Sequence, residues 1–229
     1  MRGGAGLVTV AVPEDVYPIV AMKCDEAMVR PWPEDDAELV EQAKGCTAAL
    51  IGPGLGQGER AERLVLKLMK ELTCPIILDA DGLNIISRHI DVLDEREEWS
   101  TVLTPHDGEF VRLSGGELPI KDRLGTARSF AEQHHCVLVL KGFRTITSAG
   151  GACVINPTGN PGMAKGGSGD ALAGLAAAVT ARQGRTDEAV TAVWLHGQAG
   201  DLAAEDKGEY GMTPSDLIEQ IPYAIKDLI

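Results

Sequence analysis

Aromatic residues are scarce in this chain, with three each of Phe, Tyr and Trp, or 4% of 229 residues. The core must therefore be built mostly from Val, Ile, Leu and Ala, although 44% hydrophobic and 24% charged residues are ordinary for a globular protein. Cations are outnumbered too: 21 Lys and Arg against 34 Asp and Glu give a formal net charge of −13. That balance argues against nucleic acid or an anionic membrane as partner, and leaves anionic ligands to backbone amides and a few local cations. The five cysteines are odd in number, widely spaced and without a CxxC pair, so neither a disulfide framework nor a zinc knuckle is expected. Most have apolar neighbours and read as small core residues. With no leader and no apolar run of membrane-spanning length, the cytoplasm is the expected compartment. There is no repeat or linker, and one domain over residues 1–229 is expected.

What the chain does have is glycine in a telling place. In Asn156–Leu175, NPTGNPGMAKGGSGDALAGL, Gly166, Gly167, Ser168 and Gly169 lead into Asp170 and an Ala- and Leu-rich run. Glycines allow tight turning and close approach to a ligand. The following run predicts a helix starting near Ser168 or Gly169. Free N–H groups and the positive end of a helix dipole would then meet at one point, suited to phosphate. A carboxylate there is chemically useful if it takes a proton from a hydroxyl that attacks a phosphoryl group. The plain alternative is a first-turn acid complementing the dipole, but the polar, turn-forming residues from Asn156 to Lys165 favour the site.

Elsewhere, short apolar runs alternate with helical patterns. Strands are expected at Leu7–Val12, Ala48–Ile51, Pro75–Leu78, Thr101–Leu103 and Val137–Leu140, with a hairpin of Arg144–Thr147 and Ala152–Ile155. Helices are expected at Pro13–Lys23, Ala37–Lys44, Gly58–Leu72, Glu109–Leu113, Lys121–His134, Ala171–Arg182 and Asp187–Asp206, with a last pair after Pro214. This alternation implies an α/β fold with a mainly parallel sheet covered on both faces, and ligands at the carboxyl ends of its strands. The polar and glycine clusters all directly follow strands and should converge on one rim.

Each cluster has two readings. Gly52-Pro53-Gly54-Leu55-Gly56 is a tight turn or a loop that lets a substrate approach the backbone. His106, in Thr104-Pro105-His106, is an exposed histidine or, as its place after a strand favours, a ligand contact. Lys141-Gly142-Phe143-Arg144-Thr145 is a glycine turn with surface cations or a phosphate-binding loop. Asp79, Asp81 and Asn84 read preferentially as caps of a short helix, and alternatively as holders of water or Mg²⁺. His134 and His135 are expected to be solvated or to compensate a helix end, while His89 and His196 carry no signal.

Five blocks together resemble the ADP- or ATP-dependent NAD(P)H-hydrate dehydratases, metabolite-repair enzymes on the ribokinase-like fold. They are GPGLG (Gly52–Gly56), LDADGLN (Leu78–Asn84), TPHDGEF (Thr104–Phe110), KGFRT (Lys141–Thr145) and NPTGNPGMAKGGSGD (Asn156–Asp170), in family order. Trp194-Leu195-His196-Gly197, Asp201-Leu202-Ala203-Ala204 and Met212-Thr213-Pro214 are also similar. The resemblance implies that the S-epimer of hydrated NADH or NADPH binds near Gly54, His106, Asn160 and Asp170. It implies Asp170 as catalytic base and an anion hole of Gly167, Ser168 and Gly169. The AMP part would be held by Lys141, Gly142, Phe143, Arg144, Thr145 and Gly169, with ADP or ATP as co-substrate and Mg²⁺ as cofactor; metal ligands stay unassigned. An epimerase, fused or separate, and a homo-oligomeric assembly are the partners it implies. A hydroxyethylthiazole- or pyridoxal-type kinase of the same fold, and a catalytically dead nucleotide-binding fragment, are the competing readings. The family also has a strand, a YTGA-type loop and a helix before the segment matching Gly3–Val12, so the domain's first strand and helix are expected to be missing. An open edge beside Leu7–Val12 would then weaken hydrate binding and promote association.

Overall fold

The structure, a computed structural model, describes residues 1–228. Its strands are β1 (Thr9–Val12), β2 (Met28–Pro31), β3 (Ala49–Ile51), β4 (Ile76–Leu78), β5 (Thr101–Leu103), β6 (Val137–Leu140), β7 (Ile146–Ala149) and β8 (Ala152–Ile155). Its helices are α1 (Tyr17–Lys23), α2 (Asp36–Ala43), α3 (Glu59–Glu71), α4 (Asp81–Ile86), α5 (Asp107–Ser114), α6 (Arg123–Gln133), α7 (Ser168–Gln183), α8 (Ala189–Gly211) and α9 (Pro214–Leu228). A six-stranded sheet runs β3-β4-β5-β6-β7-β8, parallel through β6 and antiparallel in the β7–β8 hairpin.

The central strands β4 and β6 are apolar on both faces because both faces are covered. Ile76 and Leu78 of β4 and Leu138 and Leu140 of β6 enter one core, packed by residues of α2 to α6 such as Leu64, Leu68, Phe110 and Phe130. Their neighbours Ile77, Val137 and Val139 point the other way, against Leu172 and Leu175 of α7, Leu195 of α8 and Leu217 of α9. This is the period-two alternation of a strand read against two layers of helices. Polar caps set several helix starts: Asp35 accepts from the Ala37 N–H at 2.8 Å and Asp122 from the Gly125 N–H at 2.9 Å.

Some expectations change. β2 has no alternating pattern and was not expected; it pairs in parallel with β1 from Thr9–Met28 to Val12–Pro31. This pair forms a sheet of its own, not hydrogen-bonded to β3. A single long helix replaces the expected pair after Pro214, with Pro222 inside it. Among the free cysteines only Cys136 is buried, Cys46 is exposed, and Cys24, Cys74 and Cys153 are half-buried. His134 is not solvated but buried, with Nδ1 at 2.9 Å from Asp94. Among the described residues no helix is long and apolar enough to cross a membrane.

Candidate active site

The rim is made where the sheet's ladder runs past its strand ends. The Asp79 N–H donates to the Ile51 carbonyl, Thr104 to Leu78, and Lys141 to Pro105, at 3.2, 3.1 and 2.8 Å. The residues following β3, β4, β5 and β6 therefore stand side by side. Gly52 is required there: its φ is 134°, and a Cβ would run into the Asp79 carbonyl. Gly54 faces open space, with nothing near its Cβ direction.

The acidic residues after β4 are not helix caps. No side chain caps α4, whose N-cap position is Ala80 at φ 49°. Asp81 instead accepts the Gly56 N–H at 2.8 Å and the Gln57 amide at 3.0 Å, tying the glycine loop after β3 to the rim. Asn84 accepts from Arg112 of α5 at 2.8 Å. Asp79 accepts from the Lys141 ammonium at 2.7 Å, so the lysine reaches inward to the end of β4. Lys141 also lies 3.8 Å from Glu109, whose Oε2 accepts the His106 N–H at 2.8 Å.

His106 is the N-cap of α5. Its Nδ1 accepts the N–H groups of Gly108 and Glu109 at 3.0 and 3.3 Å, which places the ring proton on Nε2. The side chain is 56% exposed at the rim, where Nε2 lies 3.5 Å from Glu109 Oε2, too long for a strong hydrogen bond, so its N–H can still donate to a ligand.

The glycine loop enters α7 through Gly167 at φ 97°. A side chain there would be strained, which is why the turn needs glycine. The Ser168 N–H is donated to the Lys165 carbonyl at 3.2 Å, so of the expected anion hole this amide is already committed. Those of Gly167, Gly169 and Asp170 have no backbone acceptor among the described residues. The Asp170 carboxylate is exposed in the first turn. Beneath it, buried His196 donates Nε2–H to the Ser168 carbonyl at 2.9 Å; burial foremost, then the charge of Lys141, pushes its pKa down to about 4 against that bond.

Two polar residues of this loop are bonded within the fold. Asn160, expected beside the substrate, gives its amide to Gly200 and Asp201 at 2.9 Å each and accepts the Gly162 N–H at 3.0 Å. Lys165 caps the end of α8 on the carbonyls of Glu209, Tyr210 and Met212. Asp201, which also accepts the Gly159 N–H at 2.9 Å, was not singled out for a role; its partners lie over forty residues away, with no local signal. Arg123 joins the end of β6 to Asp107 in the same unannounced way.

The loop after β6, expected to bind nucleotide, is closed on itself, Thr145 Oγ1 donating to the Gly142 carbonyl at 3.0 Å and accepting its N–H at 3.3 Å. Phe143 is 90% exposed, with the Arg144 guanidinium 5.4 Å from its ring centre. Among the described residues no group of three or more His, Cys, Asp or Glu side chains is placed to hold a metal ion. Asp79 and Glu109 are suitable oxygen donors but face Lys141. The residues fit a Mg²⁺ carried on nucleotide phosphates better than one caged by protein.

The chain is similar to known proteins. The chain is 40% identical over 242 aligned residues to the bifunctional NAD(P)H-hydrate repair enzyme Nnr of Moorella thermoacetica, covering all of this chain and 45% of that protein. It thus spans under half the length of that relative. The crystal structure of a ribokinase-like superfamily protein from Enterococcus faecalis superposes with a TM-score of 0.87 at 30% identity, over 99% of this chain and 78% of that one. The ADP/ATP-dependent NAD(P)H-hydrate dehydratase of Bacillus subtilis, co-crystallized with ATP and Mg²⁺, does so with a TM-score of 0.82 at 31% identity, over 100% and 82%. The fold is ribokinase-like, and since residues 1–223 match the family model described as NAD(P)H-hydrate dehydratase, the chain belongs to the NAD(P)H-hydrate dehydratase family.

Proposed function

We propose that this chain dehydrates the S-epimer of hydrated NADH or NADPH at the expense of ADP or ATP, returning NAD(P)H. The observation that carries the reading is the exposed Asp170 carboxylate in the first turn of α7, beside N–H groups without backbone acceptors among the described residues. Asp170 takes the proton of the ring hydroxyl as its oxygen attacks the terminal phosphorus, and AMP or ADP leaves. The N–H groups of Gly167, Gly169 and Asp170 hold the charge on the phosphoryl oxygens. Phosphate then departs with the C–O electron pair, pushed by the ring nitrogen, and loss of a proton from the neighbouring carbon restores the double bond. Mg²⁺, held mainly by phosphate oxygens and water, would neutralise phosphate charge.

The open Gly54 backbone and the Nε2–H of His106 line the substrate side. Gly142 to Thr145 hold the AMP part. Asn160 keeps the loop in shape through Asp201 rather than touching the substrate. A companion activity that interconverts the two hydrate epimers, fused or separate, would supply the substrate in the cytoplasm.

Phosphorus NMR of the chain with NADPH hydrate and ADP tests the reading. Free phosphate and AMP are expected, and Asp170→Ala should abolish both while still binding AMP. A stable phosphate ester, accumulating with a vitamin-precursor alcohol in place of the hydrate, would make the chain a kinase instead.

A further inference from the structure

A lysine on a phosphate-binding loop usually needs freedom to reach its ligand, because its charge sits at the end of four flexible carbons. Lys141 has no such freedom. Its ammonium donates to Asp79 at 2.7 Å and lies 3.8 Å from Glu109. The carboxylate side chains are 2% and 8% exposed, and that of the lysine 18%. Two carboxylates so far from water need a cation beside them, so swinging the ammonium out to the AMP loop would strip Asp79 of its ion pair and leave Glu109 to His106.

The opposite side of the ammonium meets α7. A Cβ built on Gly169 would lie 3.3 Å from Lys141 Nζ, so the cation stands against the first turn, next to Asp170 and the N–H groups that receive the phosphoryl oxygens. Among the described residues only one of its three N–H groups is committed within hydrogen-bonding distance, to Asp79, since Glu109 at 3.8 Å acts by charge alone. By contrast, Phe143 and Arg144 of the same loop point into solvent.

We propose that Asp79 and Glu109 are positioning residues that hold the Lys141 ammonium against the first turn of α7, where it binds the phosphoryl group being transferred and not the AMP part of the nucleotide. A cation fixed in advance loses less freedom when the phosphoryl group arrives, and it reinforces the positive end of α7. The inference builds on the proposed function for its reaction, but nucleotide binding alone can test it.

Calorimetric titration with ADP and with AMP, on the wild-type chain and on Lys141→Met, Asp79→Asn and their double variant, gives the answer. Lys141→Met should weaken ADP at least tenfold and AMP less than twofold. Asp79→Asn should weaken ADP about fivefold while Lys141 is present, and less than twofold once it is methionine. Equal losses for ADP and AMP, or the same Asp79→Asn effect in both backgrounds, would overturn the proposal. Should Lys141→Met fail to fold, with Asp79 left unpaired, Glu109→Gln keeps an acceptor for the His106 N–H and replaces it. About threefold weaker ADP with AMP unchanged is then expected, and equal loss of both overturns the assignment. A wild-type chain that shows the ADP–AMP split but does not turn over the hydrate would sink the dehydratase reading and leave this one standing.

Discussion

His196, buried in α8, donates its Nε2–H to the carbonyl oxygen of Ser168, the residue that opens α7, at 2.9 Å. Its pKa is pushed down from 6.5 to about 4, chiefly by burial. The folded chain therefore refuses a proton that the unfolded chain accepts between these values, and stability is full above pH 6.5 and falls as the pH drops through that window. Urea unfolding should show the chain about 2 kcal/mol less stable at pH 5 than at pH 7.5 from this group. His196→Gln, whose amide can reach the same carbonyl, should remove that part of the slope; an unchanged slope would mean another group sets it.

His106 has two separable tasks, and two substitutions tell them apart. His106→Ala loses the cap on α5 and should cost about 1 kcal/mol of stability, besides raising KM for the hydrate. His106→Asn offers its side-chain oxygen where Nδ1 now accepts the Gly108 and Glu109 N–H groups. Its stability should be close to wild type, with KM raised as in the alanine variant. Wild-type KM in His106→Asn would show that Nε2–H does not touch the substrate.

Asp201 anchors the Asn156–Asp170 loop by accepting from the Gly159 N–H and the Asn160 amide, at 2.9 Å each. Asp201→Ala should lower stability by about 1–3 kcal/mol, because charge-assisted bonds are lost together. It should also lower kcat, since the loop leads directly into α7. A variant with reduced stability but full kcat would confine Asp201 to folding.

Phe143 buries almost nothing, at 90% exposure, so Phe143→Ala should change stability by less than about 0.5 kcal/mol. A flat ring on the proposed AMP loop is suited to stack on adenine, and its loss should weaken AMP about fivefold, near 1 kcal/mol. Fluorescence competition with a labelled nucleotide would read this, and unchanged AMP affinity would remove Phe143 from the site.

Much of this protein is local, and the sequence by itself carried it. The strand runs Ile76–Leu78 and Val137–Leu140, the helix opening at Ser168 and the β7–β8 hairpin lie within a few residues of where patterning puts them. Apolar runs, turn glycines and helix formers act on their own neighbours, so the order of the residues is enough. The convergence of the clusters on one rim follows as well, because parallel strands align their carboxyl ends. β2 escaped because four residues ending in proline, Met28–Pro31, acquire strand character from β1 alone.

What only the tertiary structure decided is the partner of each polar side chain. Asp79 reads as a cap or a metal ligand until Lys141, 62 residues later, is folded against it. Asn160, Lys165 and His196 likewise take their roles from atoms 28 to 47 residues away. A carboxylate or an amide suits many partners equally well, and its chemistry follows from which of them packing brings within about 3 Å. That choice is made by the burial of Leu, Ile and Val elsewhere in the chain, so no local spacing announces it.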